Sequence, residues 1–97
     1  GASAVSDALK TAAAYPKVLI LRMRDVPLID ATALSALEDM VTDLDNRGGR
    51  LIISGLQKQP REALHRMGLL RRHSVILASN GFIALEKAKD LLNGRKS

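Results

Sequence analysis

Short aliphatic segments alternate with amphipathic ones along this chain of 97 residues, and this alternation constrains the fold more than any other feature. Three segments have the length and apolar composition of β-strands, namely residues 18–24, 50–54 and 74–78. A stretch with the helical spacing of apolar residues follows each of them. Strands that are joined by helices normally run parallel through right-handed crossovers. The pattern therefore predicts an α/β fold with a mainly parallel β-sheet.

Capping residues and apolar spacing predict four helices. The first begins at Ser3 and is stopped by Pro16, and the second spans about residues 31–47 before Gly48 and Gly49. The third opens at Pro60, and the last follows a cap at Ser79 or Asn80. The predicted inward positions are Val5, Ala8, Leu9, Ala12, Ala13, Leu34, Leu37, Met40 or Val41, Leu44, Ala63, Leu64, Met67, Ile83, Leu85, Ala88, Leu91 and Leu92. The predicted outer face of the second helix carries four acids, Glu38, Asp39, Asp43 and Asp45.

The length of the chain predicts one domain, residues 1–97, with a single modest core. Three strands make a thin sheet, and the chain opens on a helix. We therefore expect a preceding strand or β-hairpin that this chain lacks, which would leave one sheet edge unpaired. The longest aliphatic run, residues 18–21, is too short to span a bilayer. The sequence has no cysteine, so disulfides and thiolate metal sites are excluded.

Basic residues are concentrated between Arg47 and His73, in a chain whose formal net charge is +5. Glu62 is the one acid in that segment that opposes them. Such a patch is most often a solvated surface, but it could also meet anionic lipid or an acidic protein. Single-stranded nucleic acid usually needs stacking aromatic residues, and Tyr15 and Phe82 are the only two in the sequence. Nucleic acid is therefore not an expected partner.

The turn Asp30-Ala31-Thr32-Ala33 lies where a strand-to-helix connection should end, a place that favours functional groups in α/β sheets. Asp30 is predicted to cap the helix by accepting from the amide of Thr32 or Ala33. Thr32 would then lie in the first turn with its hydroxyl outward. A phosphate there would be favoured by the helix amino terminus but would repel Asp30, which makes Thr32 a candidate switch.

No pattern of residues predicts catalysis, a cofactor or a metal site. The glycines of "RGGRLIISG" are not followed by the Lys-Ser/Thr of a phosphate-binding loop. His65 and His73 are the only histidines, and His65 is expected at the surface. A receiver domain is a rival, because Asp25 or Asp30 sits where a phospho-accepting Asp would lie. The chain lacks the acidic pair and the later Lys that receivers need.

Four segments resemble the STAS domain, in particular the version at the cytoplasmic carboxyl end of bacterial SulP-type anion transporters. They are "VLILRM" at 18–23, "DVPLIDATAL" at 25–34, "RGGRLIISGLQ" at 47–57 and "PREALHRMGL" at 60–69. The resemblance covers more than half of the chain in the same order. It implies a STAS-like fold with a β-hairpin ahead of the first helix.

Other members of that superfamily are anti-sigma factor antagonists with an Asp-Ser-Ser/Thr-Gly turn. A partner kinase phosphorylates the hydroxyl residue two places after the Asp, which corresponds here to Thr32. Two residues depart from this pattern, because Ala31 replaces the first hydroxyl residue and Ala33 replaces the glycine. Since alanine is the better helix former, the turn should be stiffer here than in those relatives.

The resemblance therefore implies a non-catalytic regulatory and protein-interaction domain at the cytoplasmic face of the bacterial inner membrane. Its implied partners are the transmembrane domain of its own transporter and cytosolic regulatory proteins, and a homodimer is left open, as is the anionic membrane surface. The residues expected to contact partners are Asp30, Ala31, Thr32, Ala33 and Ser35. The alternative is a stand-alone anti-sigma factor antagonist that phosphorylation of Thr32 would switch.

Overall fold

The computed structural model describes residues 17–94, so the predicted first helix lies outside the described residues. Within these residues, three strands alternate with three α-helices, and a short 3₁₀ turn precedes the last strand. In chain order the elements are β1 (Val18–Arg22), α1 (Ala31–Arg47), β2 (Arg50–Ser54), α2 (Lys58–Arg66), the 3₁₀ turn (Leu69–Arg71), β3 (Val75–Ala78) and α3 (Gly81–Leu92).

The three described strands form one sheet in the order β1-β2-β3, and both neighbouring pairs are parallel. Leu19 lies opposite Leu51 in the first pair, and Ile52 lies opposite Ile76 in the second. The predicted α/β fold with a parallel sheet is therefore confirmed. Because the strands are parallel, their carboxyl ends lie at one edge, where α1, α2 and α3 all begin. We call this the carboxyl edge.

Helices cover both faces of the sheet, so the aliphatic strands are buried as parallel strands usually are. On one face, Met23, Leu51 and Ile53 join α1 and α2 in a single core cluster. On the other face, Ile52 packs with residues of α3 such as Ala84. Side chains alternate along β1, since its odd-numbered leucines, Leu19 and Leu21, contact the first cluster, and Val18 and Ile20 contact the second.

Helix α1 has the bounds that its sequence predicts. Its inward residues Leu37, Met40, Val41 and Leu44 are all buried. Gly48 ends the helix with φ of +72°, a left-handed conformation that glycine adopts at little cost. Leu34, also predicted inward, is only half-buried at the edge of the core.

Helix α2 begins two residues earlier than predicted, at Lys58 instead of Pro60. Pro60 is therefore the third helical residue, a position whose N–H has no partner within the helix, so proline removes no hydrogen bond there. Met67, predicted to point inward, is 38% exposed. The helix already ends at Arg66, and Gly68, with φ of +71°, turns the chain away from the helical path.

Three further predictions are wrong at the level of single residues. Strand β1 ends at Arg22 because a turn follows, in which Val26 N–H donates to the Met23 carbonyl. Leu85 and Leu92, predicted inward, are 47% and 69% exposed. The small residues Ala84 and Ala88 face the sheet, and helical spacing places the two leucines on the opposite side of α3.

Candidate functional site

The loop between β1 and α1 brings the predicted site residues to the carboxyl edge. Asp30 is the N-cap of α1, with extended backbone angles of φ −93° and ψ 175°. Its Oδ1 accepts a hydrogen bond from the Ala33 amide at 2.9 Å, and its carbonyl accepts from the Leu34 amide at 2.9 Å. The cap that the sequence predicts is confirmed, with Ala33 as the donor. The start of α1 is therefore a fixed backbone and not a frayed end.

The side chains of this turn divide into exposed and buried groups. Asp30, Ala31, Thr32 and Ser35 are exposed, whereas Ala33 is fully buried in the main core cluster. Ala33 can therefore take part in a surface only through its backbone. Within residues 17–94 the Thr32 hydroxyl has no hydrogen-bond partner, so it is accessible to solvent and to other molecules.

Leu28 adds an exposed apolar side chain to the same turn. The exposure of Leu28 was not predicted from the sequence. It is 69% exposed, although its neighbour Ile29 is 5% exposed and belongs to the core. The sequence signal is the apolar run Val26-Pro27-Leu28-Ile29, whose proline disfavours regular structure, so this run forms the connection between β1 and α1 and its adjacent apolar side chains can face opposite ways. We use the name Asp30 turn for residues 28–35.

Two glutamines near the start of α2 hold the connection between β1 and α1 in place, and one of them contacts the Asp30 turn itself. The Gln59 side chain accepts from the Ile29 amide at 2.8 Å and donates to the Ile29 carbonyl at 3.1 Å. Both backbone groups of a buried residue are thereby satisfied by one amide side chain. Gln57 Nε2 donates to the Arg24 carbonyl at 2.6 Å. These contacts join residues that are about thirty positions apart in the chain, and the sequence analysis missed them.

The opposite end of α1 is fixed by a charged pair, Asp45 with Arg72, that the sequence did not predict. Asp45 was predicted on the outer face, but its side chain is only 22% exposed and accepts from Arg72 and Ser74. Burial acts to raise the pKa of Asp45, but the hydrogen bonds from Ser74 and Arg72 and the charge of Arg72 outweigh it. The pKa of Asp45 is therefore lowered from its ordinary value.

The carboxyl edge also carries a groove and an exposed ion pair on the side of α3. A groove of about 570 Å³ on the α3 side is lined by Arg22, Arg24, Asn80 and Phe82, among others. In the Arg24–Asp25 ion pair, Nε and Oδ1 are 3.9 Å apart and the side chains are 72% and 92% exposed. The pair therefore contributes little to the stability of the fold. In the part of the chain that the structure describes, no group of three or more His, Cys, Asp and Glu residues could hold a metal ion.

These features define a parallel α/β domain that presents a rigid, exposed turn at the carboxyl edge of its sheet. The family model for the STAS domain matches residues 2–80. The chain belongs to the STAS domain family, as its four sequence segments predict.

Solved structures and a curated relative agree with this assignment. The crystal structure of a sulfate transporter family protein from Wolinella succinogenes is 36% identical, with a TM-score of 0.75, and the match covers 94% of this chain and 79% of that one. The STAS domain of a SulP transporter from Vibrio cholerae has a TM-score of 0.71 over 97% of this chain and 77% of that one. Its sequence identity is 24%, so this likeness concerns the fold alone.

YvdB of Bacillus subtilis (strain 168), whose name proposes a sulfate transporter, is 40% identical over 57 residues. The match covers 59% of this chain and 11% of YvdB, so the chain spans about a tenth of the length of that relative. Among the helices within residues 17–94, none is both long enough and apolar enough to span a membrane.

Proposed function

We propose that this chain is a regulatory, protein-interaction domain of a SulP-type anion transporter, placed at the cytoplasmic face of the bacterial inner membrane. It performs no chemistry itself. It docks on the membrane part of its transporter and on cytosolic regulatory proteins through the Asp30 turn. The similarity to transporter proteins from Wolinella succinogenes and Bacillus subtilis supports the transporter assignment.

The observation that carries the docking role is the contrast between exposed side chains and a fixed backbone in the Asp30 turn. Leu28, Thr32 and Ser35 are exposed. The backbone beneath them is held by the Asp30 cap and by the two bonds from Gln59. A preorganised surface loses little conformational entropy on binding, so more of the interaction free energy of its contacts contributes to the affinity. Leu28 is the apolar anchor of this surface.

The stand-alone anti-sigma factor antagonist remains the second candidate, and the exposed hydroxyl of Thr32 is the observation that favours it. A phosphate on Thr32 would lie in the first turn of α1, beside the carboxylate of Asp30. The added charge would change the surface that a partner contacts. The alanines at positions 31 and 33 argue for a stiffer turn than the motif of those antagonists provides.

The coding sequence upstream of Gly1 separates the two candidates. A series of hydrophobic spans upstream would support the transporter, whereas a short soluble segment with a start codon would support the free regulator. If spans are present, the detergent-solubilised membrane part without this domain is titrated with the 97-residue chain. We expect Leu28→Asp to weaken binding by about tenfold or more, because a Leu side chain buried at an interface contributes about 1.5–3 kcal/mol.

Ser79→Asp is the matched control, because it adds the same charge to an exposed residue at the carboxyl edge but outside the Asp30 turn. It should leave the affinity unchanged. If Leu28→Asp binds as tightly as this control, the Asp30 turn is not the docking surface. Thr32→Glu tests the switch with a cytosolic partner, and an unchanged affinity would remove Thr32 from the mechanism.

A further inference from the structure

Helix α2 and the 3₁₀ turn that follows it carry a group of cations that have no partner among the described residues. We call this the α2 basic surface, and its four cationic residues are Lys58, Arg61, Arg66 and Arg71. All four are exposed, and their side chains make no hydrogen bond or ion pair within residues 17–94. Nearby cations differ, because Arg72 pairs with Asp45 and Arg47 pairs with Asp43. Within the described part of the chain, the four charges of this surface therefore have no partner.

The centre of the α2 basic surface combines charge with apolar area. Arg61, His65 and Arg66 line a groove of about 380 Å³ together with Leu70. Glu62 also lines it and is the one acid among the described residues that do so. Arginine stems cover apolar surface while their guanidinium groups stay in water. Met67, at the end of α2, adds a side chain that is 38% exposed.

The charges of the described residues are distributed unevenly between the two helices that cover one face of the sheet. The outer surface of α1 carries the exposed acid Asp39, the half-buried Glu38, and Asp43, which pairs with Arg47 of the same helix. The α2 basic surface has the opposite sign. A negatively charged plane would orient a domain with this separation of charge so that α2 lies nearer the plane than α1.

We propose that the α2 basic surface binds the anionic phospholipid headgroups of a membrane. Its cations extend along the outer surface of a helix and a turn, from Lys58 to Arg71, and this arrangement matches a plane of phosphate groups better than a single deep pocket would. Met67 supplies an apolar side chain at the headgroup level. The inference extends the proposed function, which places the domain beside a membrane, and it assigns lipid contact to a surface other than the Asp30 turn.

Vesicle sedimentation with the 97-residue chain tests the proposal. We expect binding to vesicles of phosphatidylcholine mixed with phosphatidylglycerol and none to vesicles of phosphatidylcholine alone. Added salt should weaken binding, because exposed charges are screened within a Debye length. The double variant Arg61→Gln/Arg66→Gln should lose about 30-fold in affinity, since each cation near an anionic surface contributes about fivefold. Arg61→Lys/Arg66→Lys keeps the charge and should keep most of the binding.

The matched control is Lys87→Gln/Lys89→Gln on α3, which lowers the net charge by the same amount on a different helix. A loss equal to that of the arginine variant would show attraction by net charge and overturn the proposed surface. Absence of binding to the anionic vesicles, or capture of an acidic protein by this surface without lipid binding, would also overturn it. The assay is independent of the transporter assignment: an upstream sequence without membrane spans would end that assignment and leave lipid binding intact.

Discussion

Arg72 Nε donates a hydrogen bond to Asp45 Oδ2 at 2.7 Å, and this pair ties the last turns of α1 to the segment that enters β3. The same carboxylate accepts from the Ser74 amide at 3.0 Å, and Arg72 Nη2 donates to Thr42 Oγ1 at 3.0 Å. Helix α1 is thus anchored at both ends, by the Asp30 cap at its start and by this pair near its end. The anchored helix gives the Asp30 turn a fixed base.

Asp45→Asn should destabilise the fold in a pH-dependent manner. The pKa of Asp45 is lowered in the folded protein, so its stabilising contribution is present above the ordinary pKa of about 4 and is lost as the pH falls through the lowered value. Near neutral pH we expect a loss of about 1.5–3 kcal/mol, typical of hydrogen bonds to a charged group. Urea unfolding at neutral and acidic pH measures it.

Asp39→Asn is the control for this experiment, because it removes a carboxylate from an exposed position of the same helix. It should change the free energy of unfolding by no more than about 0.5 kcal/mol. The two proteins should become more similar in stability as the pH falls. If the difference in free energy of unfolding between wild type and Asp45→Asn kept its neutral-pH value below about pH 4, it would contradict the assigned role of the carboxylate.

Substitutions of Gln59 should release the Asp30 turn in steps. Gln59→Met has a similar shape but can form neither bond to Ile29, so both backbone groups of a buried residue lose their partner, at a cost of about 1–3 kcal/mol each. Gln59→Glu keeps an acceptor for the Ile29 amide but loses the donor. Hydrogen exchange of the Ile29 amide should therefore accelerate strongly in the Met variant and less in the Glu variant. Equal exchange in all three proteins would show that Gln59 does not protect this amide.

Asp30→Ala should cost about 1 kcal/mol through loss of the helix cap. Asp30→Asn should cost only a few tenths of that, since asparagine caps a helix as well as aspartate does. Asn80→Ala, which removes the cap of α3, is the reference for a cap loss at the same edge. If Asp30→Asn were as destabilising as Asp30→Ala in thermal unfolding, the charge and not the acceptor oxygen would be the stabilising feature.

Gly55→Ala should be more harmful than Gly48→Ala, although both glycines have φ near +70°. An added Cβ at Gly48 meets nothing within 4 Å, so the cost there is the left-handed strain of about 1–2 kcal/mol. At Gly55 the same atom would lie 2.9 Å from Arg24 Cβ and 3.1 Å from Arg24 Cα. Displacing that backbone should add about 1–3 kcal/mol. Equal losses in urea unfolding would contradict the close approach of the two loops.

The sequence predicts the elements whose signals are local. Helix α1 has its predicted bounds because its cap, its apolar spacing and its terminal glycine all lie within or beside it. Strand β2 is likewise found at residues 50–54. Met67 and Leu85 were assigned to the wrong side, because the helix end at Arg66 and the packing of small alanines on the sheet decide their exposure.

The parts of the site that depend on distant contacts were not predictable. The Asp30 cap was predicted because donor and acceptor are three residues apart. The bonds from Gln59 to Ile29 and from Arg72 to Asp45 join residues about thirty positions apart. Asp45 follows the spacing of an outer helix face, and Gln59 merely precedes a proline. Neither residue lies in a sequence pattern that predicts its distant partner. The role of Asp30, Ala31, Thr32, Ala33 and Ser35 in binding stays a prediction.

The twin bonds from Gln59 to Ile29 have a mechanical consequence. Gln59 directly follows Lys58 in α2, and Ile29 directly precedes Asp30. The two hydrogen bonds between Gln59 and Ile29 therefore connect the cationic helix α2 to the start of α1. A ligand that shifts α2 would change the affinity for a second ligand at α1. By thermodynamic reciprocity the second would alter the first by the same factor. Gln59 would contribute to that coupling together with the core that the two helices share.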